Sequence, residues 1–183
     1  MFSESDKKTI LGYSRKILEV SLQRNPEPEL CLSADLLEAK RGIFVTLKKE
    51  KMLRGCIGQI LGYEPLRQSI REMTLAAAFD DPRFPPVNLN ELRLIKIHIS
   101  ILTVPKPVAS YKDIRIGLDG IIVNCGRKKG VYLPEVAVET GWDQRTFFTS
   151  CALEKAQMTA AELDKATLEV FQTENFEEEG YSS

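Results

Sequence analysis

The spacing of apolar side chains predicts both helices and strands. Apolar residues recur at helical spacing over residues 6–22 and again from Pro65 to Phe79, which predicts two amphipathic helices. Over residues 92–104 isoleucines alternate with polar residues, and this period of two predicts a strand with one apolar face and one wetter face. Half-apolar strands of this kind are typical of antiparallel sheets.

Two hairpins and a mixed C-terminal region complete the predicted elements. Residues 43–47 and 52–61 predict a hairpin with a charged turn, and residues 120–133 predict a second hairpin. The other expected elements are a helix from Asp143 to about Ala156, a short helix at the capping-box pattern Thr159–Glu162 and a strand over residues 167–172. Residues 29–40 are ambiguous. Hairpins mixed with helices predict an α+β fold with mostly antiparallel sheets.

Composition and charge restrict the class of protein. The chain has 183 residues, 43% apolar and 28% charged, which is enough to fill a core and predicts a single domain over 1–183, of one or two lobes. With 25 basic and 26 acidic residues the net charge is −1, which argues against a nucleic-acid binder. The acidic end of the chain, residues 177–183, is expected to be a flexible tail.

No stretch of the sequence predicts a membrane span or an export signal. The longest apolar runs, Leu75–Phe79 and the interrupted Leu94–Val104, are far shorter than the roughly 20 residues that cross a bilayer. The first residues lack a basic start followed by an apolar run, so we expect a cytoplasmic protein without membrane attachment. In that reducing compartment the four cysteines are expected to be free thiols.

The motifs give no support for a metal or a cofactor. The chain has one histidine, His98, and no cysteine pair at zinc-ligand spacing, which excludes the usual zinc sites. Walker, dinucleotide-binding and HExxH motifs do not occur either, so we expect no cofactor. His98 lies in the alternating strand among polar residues, and we interpret it as a solvent-facing strand residue that no element places beside a cysteine.

The segment Leu53–Gly58 combines a thiol, two glycines and a permanent cation. Cys56 is a candidate nucleophile or thiol relay, because on a regular strand Arg54 would share its face and would stabilise the thiolate or bind an anion. The glycines on either side would let a substrate approach. The alternative is structural: a cysteine packed as a small hydrophobe, with glycines that allow close packing.

The proline-rich loop Asp81–Pro86 is the second candidate region. As a stiff edge of a site, it would present the acid Asp81, the base Arg83 and the aromatic Phe84 to a cleft. In the structural alternative it only ends the preceding helix, with Asp81 bound to a backbone amide and Phe84 anchored in the core.

Six segments, in order along the chain, resemble the AMMECR-type domain, a family named after the Alport-syndrome, midface-hypoplasia and elliptocytosis chromosomal region. These segments are Phe44–Leu47, Leu53–Gly58, Asp81–Pro86, Ile99–Leu102, Gly117–Gly120 and Leu133–Pro134. They extend the resemblance over roughly residues 7–179. Two positions depart from the family pattern: Gln157 stands where a glycine is typical, and His98 stands where an acidic residue is usual.

The resemblance implies an α+β fold in two lobes with a cleft between them. It places the segment Leu53–Gly58 near that cleft, so that Gly55, Ile57 and Gly58 join Cys56 and Arg54 as candidates there. The candidates that the loop itself offers for the same cleft are Asp81, Arg83 and Phe84. Chains of this length in prokaryotes resemble protein A of the AmmeMemoRadiSam system, whose companions are a Memo-like protein and a radical SAM protein. Two hypotheses follow. One is an enzyme or catalytic component that uses Cys56 and Arg54 on a small anionic or carbonyl substrate. The other is a non-catalytic binding or adaptor module for those companions.

Overall fold

A computed structural model describes residues 2–23 and 25–179 of the chain. Its helices are α1 (Glu4–Gln23), α2 (Ala34–Glu38), α3 (Leu66–Phe79), α4 (Leu89–Leu92), α5 (Pro134–Thr140) and α6 (Gln144–Ser150). Its strands are β1 (Ile43–Lys49), β2 (Met52–Gln59), β3 (Ile95–Leu102), β4 (Lys106–Val108), β5 (Gly120–Cys125), β6 (Lys128–Tyr132), β7 (Thr167–Phe171) and β8 (Thr173–Glu177). Short 3₁₀ segments cover Tyr111–Asp113 and Ala160–Lys165.

The strands form two four-stranded sheets, in the orders β2-β1-β3-β8 and β4-β7-β5-β6. The pairings of β1 with β2 and β3, and of β7 and β6 with their neighbours, are antiparallel, which confirms the predicted α+β fold. The chain divides into two compact units: the first holds the chain up to Leu102 and from Glu174 onward, and the second holds Thr103–Thr173. The expected cleft between lobes stays a prediction.

The core of the first unit forms on the apolar face of its sheet. The strand predicted over 92–104 is β3, and its isoleucines at 95, 97, 99 and 101 are fully buried together with Val45 and Leu47 of β1. Helices α1 and α3 contribute Ile10, Leu66 and Ile70 to the same cluster. The strand begins at Ile95 rather than at residue 92 because α4, with Asn88 and Glu91 as a capping box, occupies the preceding residues.

The second unit packs its helices around the predicted second hairpin, β5 and β6. Ile121 and Val123 of β5 are fully buried against Phe147 of α6. The helix expected from Asp143 to Ala156 is α6, capped by Asp143 at its start and continued by a π-helical turn over Cys151–Lys155. Burial raises the pKa of the Cys151 thiol to about 12.

The turn after this π-helical segment keeps a left-handed residue without a glycine. Gln157 has φ 54°, a conformation that favours glycine, and it stands at the position where the sequence departs from the family pattern. Met158 closes the turn by donating its backbone N–H to the carbonyl of Ala152 at 2.9 Å. The turn therefore forms with glutamine under backbone strain.

The C-terminal end contains a strand that the sequence did not predict. β8 belongs to the first sheet, and Glu177 at its end pairs with Lys96 at 2.7 Å. Glu178 is buried, binds Arg15 and accepts the backbone N–H of Ile97 at 2.9 Å. The flexible tail expected over 177–183 thus begins with two bound residues, and its part from 180 to 183 lies outside the described residues. Among the described helices, none combines the length and the apolarity of a membrane span.

Candidate functional site

Strand β2 carries the six-residue segment, and a β-bulge sets the direction of its side chains. Cys56 is paired with Thr46 and Gly55 with Leu47, but the next pair is Lys48 with Leu53. Arg54 is therefore the extra residue of a bulge, and the alternation of faces shifts there. The expectation that Arg54 shares a face with Cys56 assumed a regular strand, and the bulge removes that basis.

Two of the residues expected along a cleft face the protein core instead. Gly55 lies against α3, where an added Cβ would collide with the carbonyl oxygen of Ala77. Ile57 packs on the main hydrophobic cluster of the first unit. Both residues alternate with Cys56 along the strand, so they point to the opposite face. Gly58 stays on the Cys56 face, where it makes room for the ring of Phe44. The glycines thus allow close packing.

The carboxylate of Asp81 fixes the loop after α3 to the middle of β2. Its side chain is only 2% exposed and accepts the backbone N–H of Cys56 at 2.8 Å and that of Arg83 at 3.1 Å. The guanidinium of Arg83 adds bonds of 2.9 and 2.7 Å. The hydrogen bonds of Arg83, together with the two backbone amides, hold the pKa of Asp81 well below its ordinary value of 3.8. Asp81 is therefore an ionised anchor.

The cation next to Cys56 is Arg83. Its guanidinium donates to the carbonyl oxygen of Cys56 at 3.0 Å, while 54% of the side chain stays exposed. The pKa of Arg83 is raised, mainly by its hydrogen bonds to Asp81 and in smaller part by the Cys56 sulfur. Asp81 thus holds an accessible positive charge against the backbone of the half-buried Cys56.

Arg54 has a different set of partners. It forms a two-pronged ion pair with Glu91, at 2.7 and 3.1 Å, and donates to the carbonyl of Pro85 at 2.9 Å. Both side chains of the pair are 11% exposed, and the hydrogen bond from Arg54 holds the pKa of Glu91 below its usual range. Arg54 therefore joins the bulge to α4 and the loop, and its charge is neutralised by a carboxylate.

Phe84 lies near both cations and outside the core. The ring centroid is 5.6 Å from the guanidinium carbon of Arg83 and 6.0 Å from that of Arg54. The residue is half-buried, so the expectation of a core-anchored ring is only partly met. Cation–π attraction to a ring at this distance helps to hold the exposed Arg83 in place.

Sequence reasoning did not find Thr46, whose side chain contacts the Cys56 thiol. Its Oγ1 lies 3.2 Å from Cys56 Sγ, within hydrogen-bond distance, and the hydroxyl or the thiol can be the donor. Thr46 is paired with Cys56 on one side and with His98 on the other. The register of three strands brings these residues into one row, a relationship between distant segments that no local pattern carries.

Two further observations describe the chemistry available at the site. All four cysteines are free thiols: Cys31 is exposed, Cys125 and Cys56 are half-buried and Cys151 is buried. Within the described ranges, histidine, cysteine and acidic side chains nowhere gather in a group of three or more that could hold a metal ion. The groups at hand are thus a thiol, a hydroxyl, a guanidinium and their carboxylate anchor.

Comparison with known proteins gives the same family over nearly the whole chain. Residues 11–176 match the AMMECR1 family model. A protein of Methanothermobacter thermautotrophicus is 36% identical over 186 aligned positions, covering 97% of each chain, and one of Pyrococcus furiosus is 38% identical over 93% of this chain and 87% of its own. The crystal structure of an uncharacterized protein from Pyrococcus horikoshii matches with a TM-score of 0.79 and 31% identity, over 97% of this chain and 94% of that one.

Proposed function

The chain belongs to the AMMECR1 family, and we propose that it is an enzyme or catalytic component whose Cys56 thiolate acts on a small substrate. The observation that carries the proposal is the position of the exposed Arg83 guanidinium beside the half-buried Cys56. A fixed cation next to a thiol favours the thiolate, which is the reactive form of cysteine.

The roles of the residues follow from their partners. Cys56 acts as nucleophile or thiol relay, and its sulfur attacks a carbonyl carbon whose electron pair moves onto the carbonyl oxygen. Arg83 takes the anion-binding role that the sequence suggested for Arg54, because both cations are paired with carboxylates but 54% of the Arg83 side chain is exposed against 11% of Arg54. Asp81 is a positioning residue that holds both Arg83 and the backbone of Cys56. This arrangement favours a small substrate with a carbonyl or an anionic group.

The setting of the reaction is part of the same proposal. Free thiols suit a reducing compartment, and we place this activity in the cytoplasm. A Memo-like protein and a radical SAM protein are proposed companions that supply or consume the substrate. The second candidate is a non-catalytic adaptor for those companions. It is favoured by the glycines of β2, because they allow close packing and do not open space for a substrate.

Site-resolved alkylation tests the activated thiol. We expect iodoacetamide to label Cys56 faster than the exposed Cys31 at pH 7, whereas the buried Cys151 stays unlabelled in the folded protein. Arg83→Gln should slow labelling of Cys56 by roughly tenfold, because it removes the cation that stabilises the thiolate, and leave Cys31 unaffected. Arg83→Lys, which keeps the charge, should retain most of the rate.

An unreactive Cys56 would contradict the catalytic proposal. If Cys56 reacts no faster than Cys31 and Arg83→Gln changes nothing, the thiol is not activated and the catalytic proposal fails. Retention of companion binding by Cys56→Ala, measured by size-exclusion chromatography with each companion, would then favour the adaptor.

A further inference from the structure

The pairing register places three polar side chains in one row across the first sheet. Cys56 of β2 lies opposite Thr46 of β1, and Thr46 lies opposite His98 of β3. Residues directly opposite each other in antiparallel strands project from the same face. The other face is the one that buries the isoleucines of β3, so this row lies on the more polar face of the sheet.

Thr46 stands between the thiol and the imidazole along this row, because β1 lies between β2 and β3. Neighbouring strands are about 4.8 Å apart, so the backbones of β2 and β3 are separated by roughly 9–10 Å with β1 between them. Thr46 fills this interval, and its hydroxyl already contacts the sulfur at 3.2 Å. A hydroxyl both accepts and donates, so it is able to pass a proton between two groups that do not touch.

We propose that His98 takes the proton of the Cys56 thiol through the hydroxyl of Thr46, which makes His98 and Thr46 positioning residues for this site. The thiol proton moves to Thr46 Oγ1 while the hydroxyl proton of Thr46 moves to a ring nitrogen of His98. The products are a thiolate and an imidazolium, so protons and charge balance. The inference rests on the proposed function, because it supplies the base which that function requires.

Opposite charges face both products of this transfer. The thiolate forms beside the guanidinium of Arg83. The imidazolium has a favourable charge interaction with Glu177 of β8: the pKa of Glu177 is lowered first by its bond to Lys96 and in smaller part by the charges of Lys48 and His98. Lys48 and Lys96 are the cations that oppose protonation of the ring, and the Lys96–Glu177 pair at 2.7 Å neutralises one of them.

The pH dependence of Cys56 alkylation tests the relay in the full-length chain. We expect the wild-type rate, followed by peptide mass spectrometry from pH 5 to 9, to rise in two steps: at lower pH through thiolate formed by transfer of the proton to His98, and at higher pH through loss of the thiol proton to water. His98→Gln should remove the first step and slow labelling at pH 7 by roughly tenfold. Thr46→Val should do the same, and the double variant should be no slower than either single variant.

Two matched variants separate the relay from simple packing. Thr46→Ser keeps the hydroxyl and should retain the two-step profile. Ser100→Ala alters the neighbouring half-buried position of β3, opposite Phe44, and should leave the profile unchanged. Circular dichroism of every variant checks that the sheet is intact.

The outcomes also separate this inference from the proposed function. If Arg83→Gln slows labelling while His98→Gln and Thr46→Val leave the wild-type profile intact, the relay is overturned and the activated thiol stands. If Thr46→Val slows labelling but His98→Gln does not, the hydroxyl acts alone and the role of His98 is overturned. If Cys56 is no more reactive than Cys31 in the wild type, both proposals fail.

Discussion

The backbone N–H of Cys56 donates to the carboxylate of Asp81 at 2.8 Å, across 25 residues of chain. This bond takes the place of a sheet partner at the outer edge of β2, where no further strand pairs within residues 2–23 and 25–179. Because the same carboxylate binds Arg83, one buried anion sets the position of both the thiol-bearing strand and the cation beside it. The geometry of the candidate site therefore depends on Asp81 remaining ionised.

Replacement of Asp81 should destabilise the protein in a pH-dependent way. The folded-state pKa of Asp81 lies below its ordinary value of 3.8, mainly through Arg83, so its ionised form stabilises the fold fully above that value. As the pH falls below about 4, the unfolded chain binds the proton first and this contribution is lost.

We therefore expect Asp81→Asn to lower the urea midpoint clearly at pH 6 and by progressively less between pH 4 and pH 2. The exposed neighbour Asp80 offers a matched control, and Asp80→Asn should change the midpoint little at either pH. A difference between wild type and Asp81→Asn that stays constant over this range would contradict the assignment.

Gly55 should tolerate no side chain, because a Cβ there would collide with the carbonyl oxygen of Ala77. We expect Gly55→Ala to lower the free energy of unfolding by about 2 kcal/mol or more, as overpacking against backbone does. Gly12→Ala is the control: nothing lies within 4 Å of its added Cβ, and alanine in the middle of α1 should stabilise by about 0.5–1 kcal/mol. Urea denaturation measures both, and equal effects would refute the packing role of Gly55.

Replacement of Gln157 by glycine should stabilise the protein. The residue is exposed and has φ 54°, a conformation that costs a side-chain-bearing residue about 1–2 kcal/mol. After the greater freedom of glycine in the unfolded chain is subtracted, Gln157→Gly should raise the free energy of unfolding by about 0.5–1 kcal/mol. Gln157→Ala relieves no strain and should not stabilise. Thermal unfolding of the wild type and both variants measures these changes. An increase in the stability of Gln157→Ala would show that backbone strain is not the cause.

The strand alternation shows how far the sequence determines the site. The isoleucine pattern of β3 correctly predicted which face is buried, since burial of one face is what a period of two reports. The turn at Glu50 and Lys51, with φ of 51° and 65°, fixes the first pairs of the hairpin. Counting from that turn without a bulge places Thr46 opposite Gly55.

The single extra residue Arg54 shifts the partner of Thr46 to Cys56. No local sequence pattern predicts this bulge. The bulge is stabilised from a distance, because Arg54 binds Glu91, 37 residues further along. The row of Cys56, Thr46 and His98 also depends on pairing between distant segments, so the sequence did not predict it. The segment that contains the thiol is continuous and was found. Strand β8 was missed because its residues are mostly polar, and only pairing with β3 makes it a strand.

The first unit is assembled from two separate stretches of chain, since β8 and Glu178 return to it after the whole second unit has been traversed. Cutting the gene after the codon of Leu102 would therefore discard the carboxylate that binds Arg15 and leave a gap beside β3. A laboratory that wants the thiol-bearing half alone should instead excise residues 103–173 and rejoin the two ends with a short linker.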